Sequence, residues 1–219
     1  SSNCWPIRSC CHSWLRNNTM TRLWHLLFWG VLGWSAWQPH DYPTWALEVS
    51  PALIAYGILL ATRKRFTLTP MLYLLILAHC IILMIGGKYT YALVPAGEWV
   101  SELFGWSRNN YDKLGHLVQG FVPALVAREL FIRLDVVRQA GWRFALITLS
   151  VLGISALYEL IEWWVALLSE EAAESFLGTQ GYVWDTQSDM FLAMIGAIAA
   201  QLLLGKLHDR QLARHNNQH

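Results

Sequence analysis

Apolar residues are gathered along this chain into six stretches, which polar or turn-forming segments separate. About 20 helical residues cross a hydrocarbon core about 30 Å thick, and most of these stretches approach or reach that length. The first is short, and Arg22 precedes it. No stretch has the strict alternation of a strand, so each is predicted to be a membrane-spanning helix. The predicted spans are Leu23–Trp37, Trp45–Thr62, Thr69–Ile85, Tyr111–Ile132, Phe144–Leu168 and Val183–Leu204.

Prolines, glycines and charges predict where these spans end. Pro39–Pro43 is predicted to form a turn, and Arg63–Arg65 to stop the second span. Gly86 and Gly87 are predicted to break the third span and to open a loop that contains a short interfacial helix around Glu98–Phe104. Ser169–Tyr182 is predicted to be an acidic loop. Because the sequence has no internal repeats, we expect an all-α fold: one polytopic transmembrane helix bundle of six spans.

The two ends of the chain differ from this six-helix membrane domain, which is assigned to residues 20–206. Residues 1–19 lack the apolar periodicity that starts after Met20 and are interpreted as a non-native or upstream extension. Residues 207–219 are predicted to be a polar cytoplasmic tail. The first span has the charged and apolar regions of a signal sequence, but the residues before Gln38 match a cleavage site poorly, so a retained signal-anchor is favoured.

Composition supports a membrane environment. The 219 residues are 55% hydrophobic and 14% charged, whereas about a quarter of the residues in soluble proteins are charged. The lipid bilayer is therefore the expected partner, and the net charge of +1 gives no indication of nucleic-acid binding. The four cysteines form no Cys-x-x-Cys pair, which argues against a disulfide framework or a structural zinc site. Oligomeric state leaves no signal in the sequence.

Basic residues predict the direction of the spans. Under the positive-inside rule, loops rich in lysine and arginine stay in the cytoplasm. Only Lys88, Arg108 and Lys113 fall on the opposite side of a six-span arrangement, so both termini are predicted to be cytoplasmic in a bacterial inner membrane. The eleven residues on the cytoplasmic side are Arg22, Arg63, Lys64, Arg65, Arg128, Arg133, Arg138, Arg143, Lys206, Arg210 and Arg214.

Polar residues recur at helical spacing in the fourth span. Asp112, His116 and Gln119 lie three and four residues apart, so they share one helix face together with Pro123. The fifth span carries Glu159 and Glu162 on one face, and the sixth carries Asp185 and Asp189.

Depth makes these residues a candidate site. At about 1.5 Å of rise per residue, His116 lies about 6 Å deeper than Asp112, and Asp189 about 6 Å deeper than Asp185. Glu159 lies about 14 Å below the outer end of its span. All three sets therefore fall in the outer half of the bilayer. Placing an ionised acid at mid-membrane costs about 2.5–3.5 kcal/mol, so these acids are expected to need partners. The candidate ligand-binding residues are Arg108, Asp112, Lys113, His116, Glu159, Glu162, Asp185 and Asp189.

Several kinds of chemistry are compatible with these residue types. A divalent cation suits an imidazole among carboxylates, with Mg, Ca or Mn favoured by the oxygen ligands and Fe or Zn possible through His116. The metal candidates are His116, Glu159, Glu162 and Asp189, and the catalytic candidates are the first three of these. The spacing matches no known metal signature. Capping by Asp112 and interhelical hydrogen bonding by His116, Glu162 and Asp189 are the structural alternatives.

Three hypotheses of function follow from these alternatives. The favoured one is recognition of an outer-leaflet ligand, either a cation or a lipid or glycolipid headgroup, for which Arg108, Lys113 and Lys88 can hold a lipid phosphate. The second is a membrane-embedded, metal-dependent hydrolase or transferase. The third is an ion- or proton-coupled transporter, which is less favoured because the inner half of these spans has few polar residues.

Close helix contacts are expected at Gly196 and Gly153.

The chain also resembles two groups of membrane proteins. It resembles the YjdF-type bacterial inner-membrane proteins over about Met20 to Arg210, at Tyr111-Asp112-Lys113-x-x-His116, Tyr158-Glu159-x-x-Glu162 and Trp184-Asp185-x-x-x-Asp189. More distantly, its last three spans are similar to VanZ-like proteins, although Ala193 stands where that pattern has Asn. The first resemblance implies a polytopic inner-membrane protein. The second, associated with resistance to teicoplanin-type glycopeptides, implies a role at the cell envelope or with lipid headgroups.

Overall fold

The computed structural model describes residues 18–168 and 182–216, and these residues form an all-helical protein. Within those two ranges there are seven helices and no strand. Six of the helices are long, and α4 is the short helix expected between the third and fourth spans. The helices are α1 (Asn18–Ala36), α2 (Tyr42–Thr62), α3 (Pro70–Tyr89), α4 (Pro95–Phe104), α5 (Tyr111–Arg133), α6 (Ala140–Ala166) and α7 (Asp185–Asn216).

Proline sets the start of three of these helices. Pro43, Pro70 and Pro95 occupy the first turns of α2, α3 and α4. The first N–H groups of a helix have no intrahelical acceptor, so a proline there loses no hydrogen bond, and its fixed φ suits a helix. The Asp41 side chain adds an N-cap to α2, accepting a hydrogen bond from the Thr44 backbone N–H at 2.7 Å. The predicted turn at Pro39–Pro43 is therefore also the start of a helix.

The prediction that Gly86 and Gly87 break the third span is wrong. Helix α3 continues through both glycines and ends at Tyr89, where Thr90 caps it in the left-handed conformation. The glycines are required for packing, since a Cβ on Gly86 would overlap the Tyr91 ring and one on Gly87 would lie 3.2 Å from the Glu48 Cβ. Two glycines in a row therefore mark a close contact inside a helix here.

Parts of the predicted organisation fall outside the described residues. These are residues 1–17 of the proposed extension, 169–181 of the acidic loop and 217–219 of the tail. Residues 207–216 of the predicted tail belong to α7, which continues the last span without interruption.

The long helices run alternately in opposite directions, and side-chain contacts identify which ends meet. At the Arg108 end, where α5 and α7 begin, Arg108 pairs with Asp185. At the Arg133 end, where α5 finishes, Glu129 contacts Thr69 before α3, and Arg128 contacts Asp209 on α7. Helix α5 packs most extensively against α7. The two helices that carry most of the predicted site residues are therefore nearest neighbours.

The interior is apolar, and large apolar side chains also cover the outside. Phe28, Leu72, Met84, Leu125 and Ile147 are completely buried, whereas many leucines and tryptophans on the surface are exposed. Helices α2, α3, α6 and α7 are each long and apolar enough to cross a membrane. An apolar exterior of this kind is expected where lipid replaces water as the solvent.

Helices α5 and α7 touch along their backbones. A Cβ on Gly120 would overlap the Ala193 carbonyl, and one on Gly196 would overlap the Leu117 carbonyl. This confirms the expected close contact at Gly196. The corresponding expectation for Gly153 is wrong, because no described residue lies within 4 Å of a Cβ placed there and the glycine faces outward. Small residues in a span do not by themselves indicate which face packs.

Candidate functional site

A group of three ionisable side chains joins α5 and α7 near the Arg108 end. Asp112, His116 and Asp189 each place one oxygen or nitrogen atom so that all three atoms lie within 4.8 Å of one another. Asp112 and His116 are one helical turn apart, and the His116 Nε2 lies 3.4 Å from an Asp112 carboxylate oxygen. Asp189 reaches them from the facing helix. This separation is short enough for a single ion to contact all three residues.

The backbone contact between the helices positions this group. Gly120 lies one turn below His116 on α5, and its contact at Ala193 lies one turn below Asp189 on α7. Because Gly120 has no side chain where it meets the Ala193 backbone, the two helices approach closely enough for the short Asp189 side chain to reach the imidazole. We refer to Asp112, His116, Asp189 and Glu159 as the acid–histidine cluster.

Glu159 completes the acid–histidine cluster from α6. One of its carboxylate oxygens lies 3.7 Å from the His116 Nε2. His116, Glu159 and Asp189 expose only 6%, 6% and 3% of their surface. Each nevertheless has a buried polar atom without a hydrogen-bond partner among the described residues: Nδ1 of His116, Oε1 of Glu159 and Oδ1 of Asp189. Buried polar atoms usually have a partner, so these three atoms lack contacts that a bound ion or water would supply.

Asp185, Arg108 and Lys113 form a separate ionic group at the rim, which we call the rim group. The Arg108 Nη2 donates to an Asp185 carboxylate oxygen at 2.8 Å, and the Lys113 Nζ lies 3.8 Å from the same oxygen. Helix α4 holds Arg108 in place, because the Ser101 hydroxyl donates to the Arg108 carbonyl at 2.7 Å. Of the predicted site residues, these three are therefore placed beside the acid–histidine cluster and not within it.

Glu162 also lies outside the cluster of three atoms that α5 and α7 bring together. It is half-buried one turn above Glu159 on α6. Sequence reasoning missed Glu48 on α2, which is 6% exposed and accepts a hydrogen bond from the Tyr158 hydroxyl at 3.1 Å. The depth argument does not reach Glu48 from the sequence, because the predicted span begins at Trp45, about 4.5 Å from Glu48, whereas α2 begins at Tyr42, about 9 Å from it.

Tyr91, in the turn after α3, supports Glu48 from the other side. Its side chain also forms a hydrogen bond with Glu48. Burial, reinforced by the Glu48 carboxylate, raises the pKa of Tyr91 well above its ordinary value, so the phenol stays protonated and donates. Tyr158 in turn packs edge-on to the His116 ring, with centroids 6.4 Å apart. Tyr158 thereby connects Glu48 to the acid–histidine cluster.

Charge at this end of the bundle is unbalanced. Among the described residues, this end of the bundle holds five buried or half-buried carboxylates besides Asp185, on Glu48, Asp112, Glu159, Glu162 and Asp189, near the His116 imidazole. The nearest permanent cations, Arg108 and Lys113, are shared with Asp185. Uncompensated like charges in a low-dielectric interior repel strongly. Protons or a bound cation must therefore neutralise most of these acids.

Sequence reasoning also missed a second polar group, at the Arg133 end. Glu129 is completely buried and accepts hydrogen bonds from the Thr69 backbone and hydroxyl, from Arg133 at 2.8 Å and from the His208 Nε2 at 3.0 Å. Arg128 beside it binds Asp209 at 2.7 Å. In contrast to the acid–histidine cluster, every carboxylate oxygen of Glu129 has partners. This group, which we call the Glu129 network, therefore has the properties of a structural hydrogen-bond network that stabilises the helix packing.

The fold and the site together define an all-helical membrane protein that encloses a partly unsatisfied acidic group near one end of its helix bundle. Comparison with known proteins is consistent with this class. Residues 20–210 match the model of a family described as predicted membrane protein (DUF2238), and the chain belongs to that family. It is 53% identical, over 184 residues, to the inner membrane protein YjdF of Escherichia coli (strain K12), a match that covers 84% of this chain and 88% of the relative.

These matches confirm the resemblance to the YjdF-type proteins and the inner-membrane location predicted from the sequence. No solved structure matches the chain. The similarity to VanZ-like proteins stays a prediction.

Proposed function

We propose that this protein binds a divalent cation at the acid–histidine cluster, in the outer half of the inner membrane. The observation that carries this proposal is the meeting of Asp112, His116 and Asp189 within 4.8 Å. The unpartnered buried atoms of His116, Glu159 and Asp189 support it. An ion at this position would supply a contact that the Asp189 carboxylate lacks and would neutralise the acids that face one another.

The donor set favours a hard cation. Carboxylate oxygens predominate, and oxygen ligands suit Mg, Ca and Mn, while one imidazole also admits Fe or Zn. The helices supply few protein ligands, so water or a second ligand would complete the coordination of the ion. Magnesium in particular is commonly held by one or two carboxylates together with a phosphate.

The membrane arrangement that we propose has six spans, with α1 and α5 added to the four apolar helices. Their 19 and 23 residues correspond to about 28 and 35 Å of helix. Helix α5 is more polar than the others, but its charged residues lie near its two ends and have partners within the protein, such as Asp185 for Lys113, Thr69 for Glu129 and Asp209 for Arg128. The excess of basic residues at the Arg133 end supports cytoplasmic termini and an outward-facing acid–histidine cluster.

A topology reporter tests this orientation. We expect alkaline phosphatase fused after Ala173 to be active, because the α6–α7 connection would lie in the periplasm. The same reporter fused after Arg138, between α5 and α6, should be inactive, and green fluorescent protein should give the opposite pattern at both positions. An active phosphatase at Arg138 would reverse the orientation and move the acid–histidine cluster to the cytoplasmic side.

The packing below the cluster favours binding over transport. Ala193, Ala197, Val122, Leu125 and Val151 are each no more than 3% exposed and occupy the middle of the bundle. The backbone contact at Gly120 and Gly196 closes the α5–α7 interface at the same level. A coupled transporter needs a polar route to the opposite side. This apolar layer instead separates the acid–histidine cluster from the Glu129 network.

A metal-dependent hydrolase or transferase is the second candidate. The His116 Nε2 lies between Asp112 at 3.4 Å and Glu159 at 3.7 Å. An imidazole held between two carboxylates is a suitable general base or acid. Such an enzyme would hold the cation through the carboxylates and leave the His116 Nε2 free as acid or base, with His116, Glu159 and Glu162 as its candidate catalytic residues. Turnover that is lost in Glu159→Gln while the ion remains bound would favour the enzyme.

Cation binding is tested directly with Mn²⁺, whose electron paramagnetic resonance signal reports the bound fraction. Purified protein in a neutral detergent is expected to bind about one Mn²⁺ per chain. Asp189→Asn and His116→Ala should each weaken binding by roughly tenfold or more, because each removes one of few protein ligands. Elemental analysis of the purified protein would identify the metal retained from the cell.

Asp209→Asn is the matched control. Asp209 also lies on α7 and forms an ion pair, but at the Arg133 end with a half-exposed side chain. This variant should bind Mn²⁺ like the unaltered protein. Equal Mn²⁺ binding, or negligible binding, by the unaltered protein and both cluster variants would remove the cation site.

A further inference from the structure

The rim group has binding capacity that its internal contacts leave unused. Two permanent cations, Arg108 and Lys113, share the single carboxylate of Asp185. When all three are ionised, the group carries one surplus positive charge. The surplus lies beside the acidic cluster, since Asp112 and Lys113 are consecutive in the chain and Asp185 is one turn from Asp189.

Most of the donors in the rim group are buried without a partner. The Arg108 Nη2 is engaged by Asp185, but the Nε and Nη1 of Arg108 and the Nζ of Lys113 have no hydrogen-bond partner among the described residues and are shielded from solvent. A guanidinium presents a planar fork that matches the oxygens of a phosphate. Buried donors of this type are costly unless an acceptor occupies the space before them.

The surroundings of the rim group orient these donors. Both cations lie over the Tyr182 ring, with the Arg108 Cζ 5.3 Å and the Lys113 Nζ 4.8 Å from its centroid. The aromatic face limits the directions in which the two side chains can move. Helices α5 and α7 both begin here, so the positive ends of two helix dipoles add to the potential.

We infer that Arg108 and Lys113 bind a phosphate group of a ligand at the outer face of the inner membrane, and that this phosphate contacts the cation held by the acid–histidine cluster. The inference rests on the proposed cation site for its second half only. A cation held by few carboxylates has coordination positions that phosphate oxygens fill readily. The rim group would then neutralise the rest of the phosphate charge. The two adjacent groups of opposite charge thus become the two halves of one binding site.

The phosphate can belong to a lipid headgroup or to a free anion, and calorimetric titration of the purified full-length protein with Mg²⁺ present distinguishes them. The probes are short-chain phosphatidic acid, the matching diacylglycerol without phosphate, and inorganic phosphate. We expect phosphatidic acid to bind, and Arg108→Gln to weaken that binding by roughly tenfold or more, since charge-assisted hydrogen bonds are lost. Lys113→Gln, which keeps the Arg108–Asp185 pair, should weaken it as well.

The control is Arg138→Gln, which removes an arginine paired with Asp135 at the Arg133 end and should bind phosphatidic acid normally. Tight binding of phosphatidic acid with weak binding of inorganic phosphate supports a lipid headgroup, and comparable binding of both supports a free phosphate. Equal affinity of the unaltered protein and both rim variants for phosphatidic acid would overturn the phosphate site, as would equal binding of the diacylglycerol.

Mn²⁺ binding measured without phosphate keeps the two proposals apart. Arg108→Gln and Lys113→Gln should retain it, which also shows that these variants are folded. Retained Mn²⁺ binding with unaltered phosphatidic acid binding would remove the phosphate site and leave the cation site intact. Phosphatidic acid binding that depends on Arg108 but not on Mg²⁺ or Asp189 would support the phosphate site while removing its contact with a cation.

Discussion

Replacing Glu129 with alanine is expected to destabilise the protein by about 3–5 kcal/mol, the usual cost of breaking a buried ion pair from one side. Glu129 is completely buried and receives hydrogen bonds from Thr69, Arg133 and His208. Its removal would leave the completely buried His208 without the acceptor of its Nε2 and would take one of two acceptors from Arg133, which keeps the Thr67 carbonyl. The loss would reach two helices, α5 and α7, together with the segment before α3. We therefore expect lower yield and an earlier unfolding transition.

Unfolding by sodium dodecyl sulfate in mixed micelles, followed by tryptophan fluorescence, measures this effect. Glu102→Ala, an exposed glutamate on α4, is the matched control and should change stability by no more than about 0.5 kcal/mol. Glu129→Gln should fall between the two, since the amide keeps one acceptor oxygen. If Glu129→Ala unfolds at the same detergent fraction as Glu102→Ala, the Glu129 network does not fasten the bundle.

Gly120→Ala is expected to have the second large effect, because the added methyl would occupy the position of the Ala193 carbonyl. Overpacking a well-packed interior costs about 1–3 kcal/mol, and backbone cannot move aside as a flexible side chain can. The helices must therefore separate, which should also draw Asp189 away from His116. We expect a lower free energy of unfolding and, in the protein that remains folded, weaker Mn²⁺ binding.

Gly153→Ala is the matched control for this change. Both glycines lie within long helices, but no described residue is within 4 Å of a Cβ at Gly153. Alanine favours a helix over glycine by about 1 kcal/mol, so the control should be neutral or slightly stabilising and should leave Mn²⁺ binding unchanged. Equal stability of the two variants would contradict the close approach of α5 and α7.

Much of the fold follows from the periodicity of apolar residues, but helix ends and contacts depend on partners distant in sequence. The short helix predicted around Glu98–Phe104 is present as α4, Pro95–Phe104. The sequence predicts too early an end for the third span, because Gly86 and Gly87 would interrupt the helix only if nothing packed against them. Tyr91 and Glu48 fill the space that their missing side chains leave. Local propensity carries no information about that contact.

The candidate site was accessible to sequence reasoning because helical spacing and depth are both simple functions of residue number. They placed Asp112 and His116 on one face, and Glu159 and Asp189 at a compatible depth. They did not distinguish the rim group from the acid–histidine cluster, since the rotation of each helix about its axis depends on packing. The Glu129 network was overlooked because Arg128 and Arg133 were interpreted only as topology signals, and His208 as part of a polar tail.

Helices α5 and α7 each carry residues of both polar groups, one near each end. Asp112 and Glu129 are separated by about 25 Å along α5, and Asp189 and His208 by about 28 Å along α7. Between these positions the two helices approach most closely at Gly120 and Gly196, where the backbone of one meets the backbone of the other. This crossing is a natural pivot for the two helices. If they tilt about it, separation at one end of the bundle brings a matching displacement at the other end. A change in the geometry of one polar group would then also change the other.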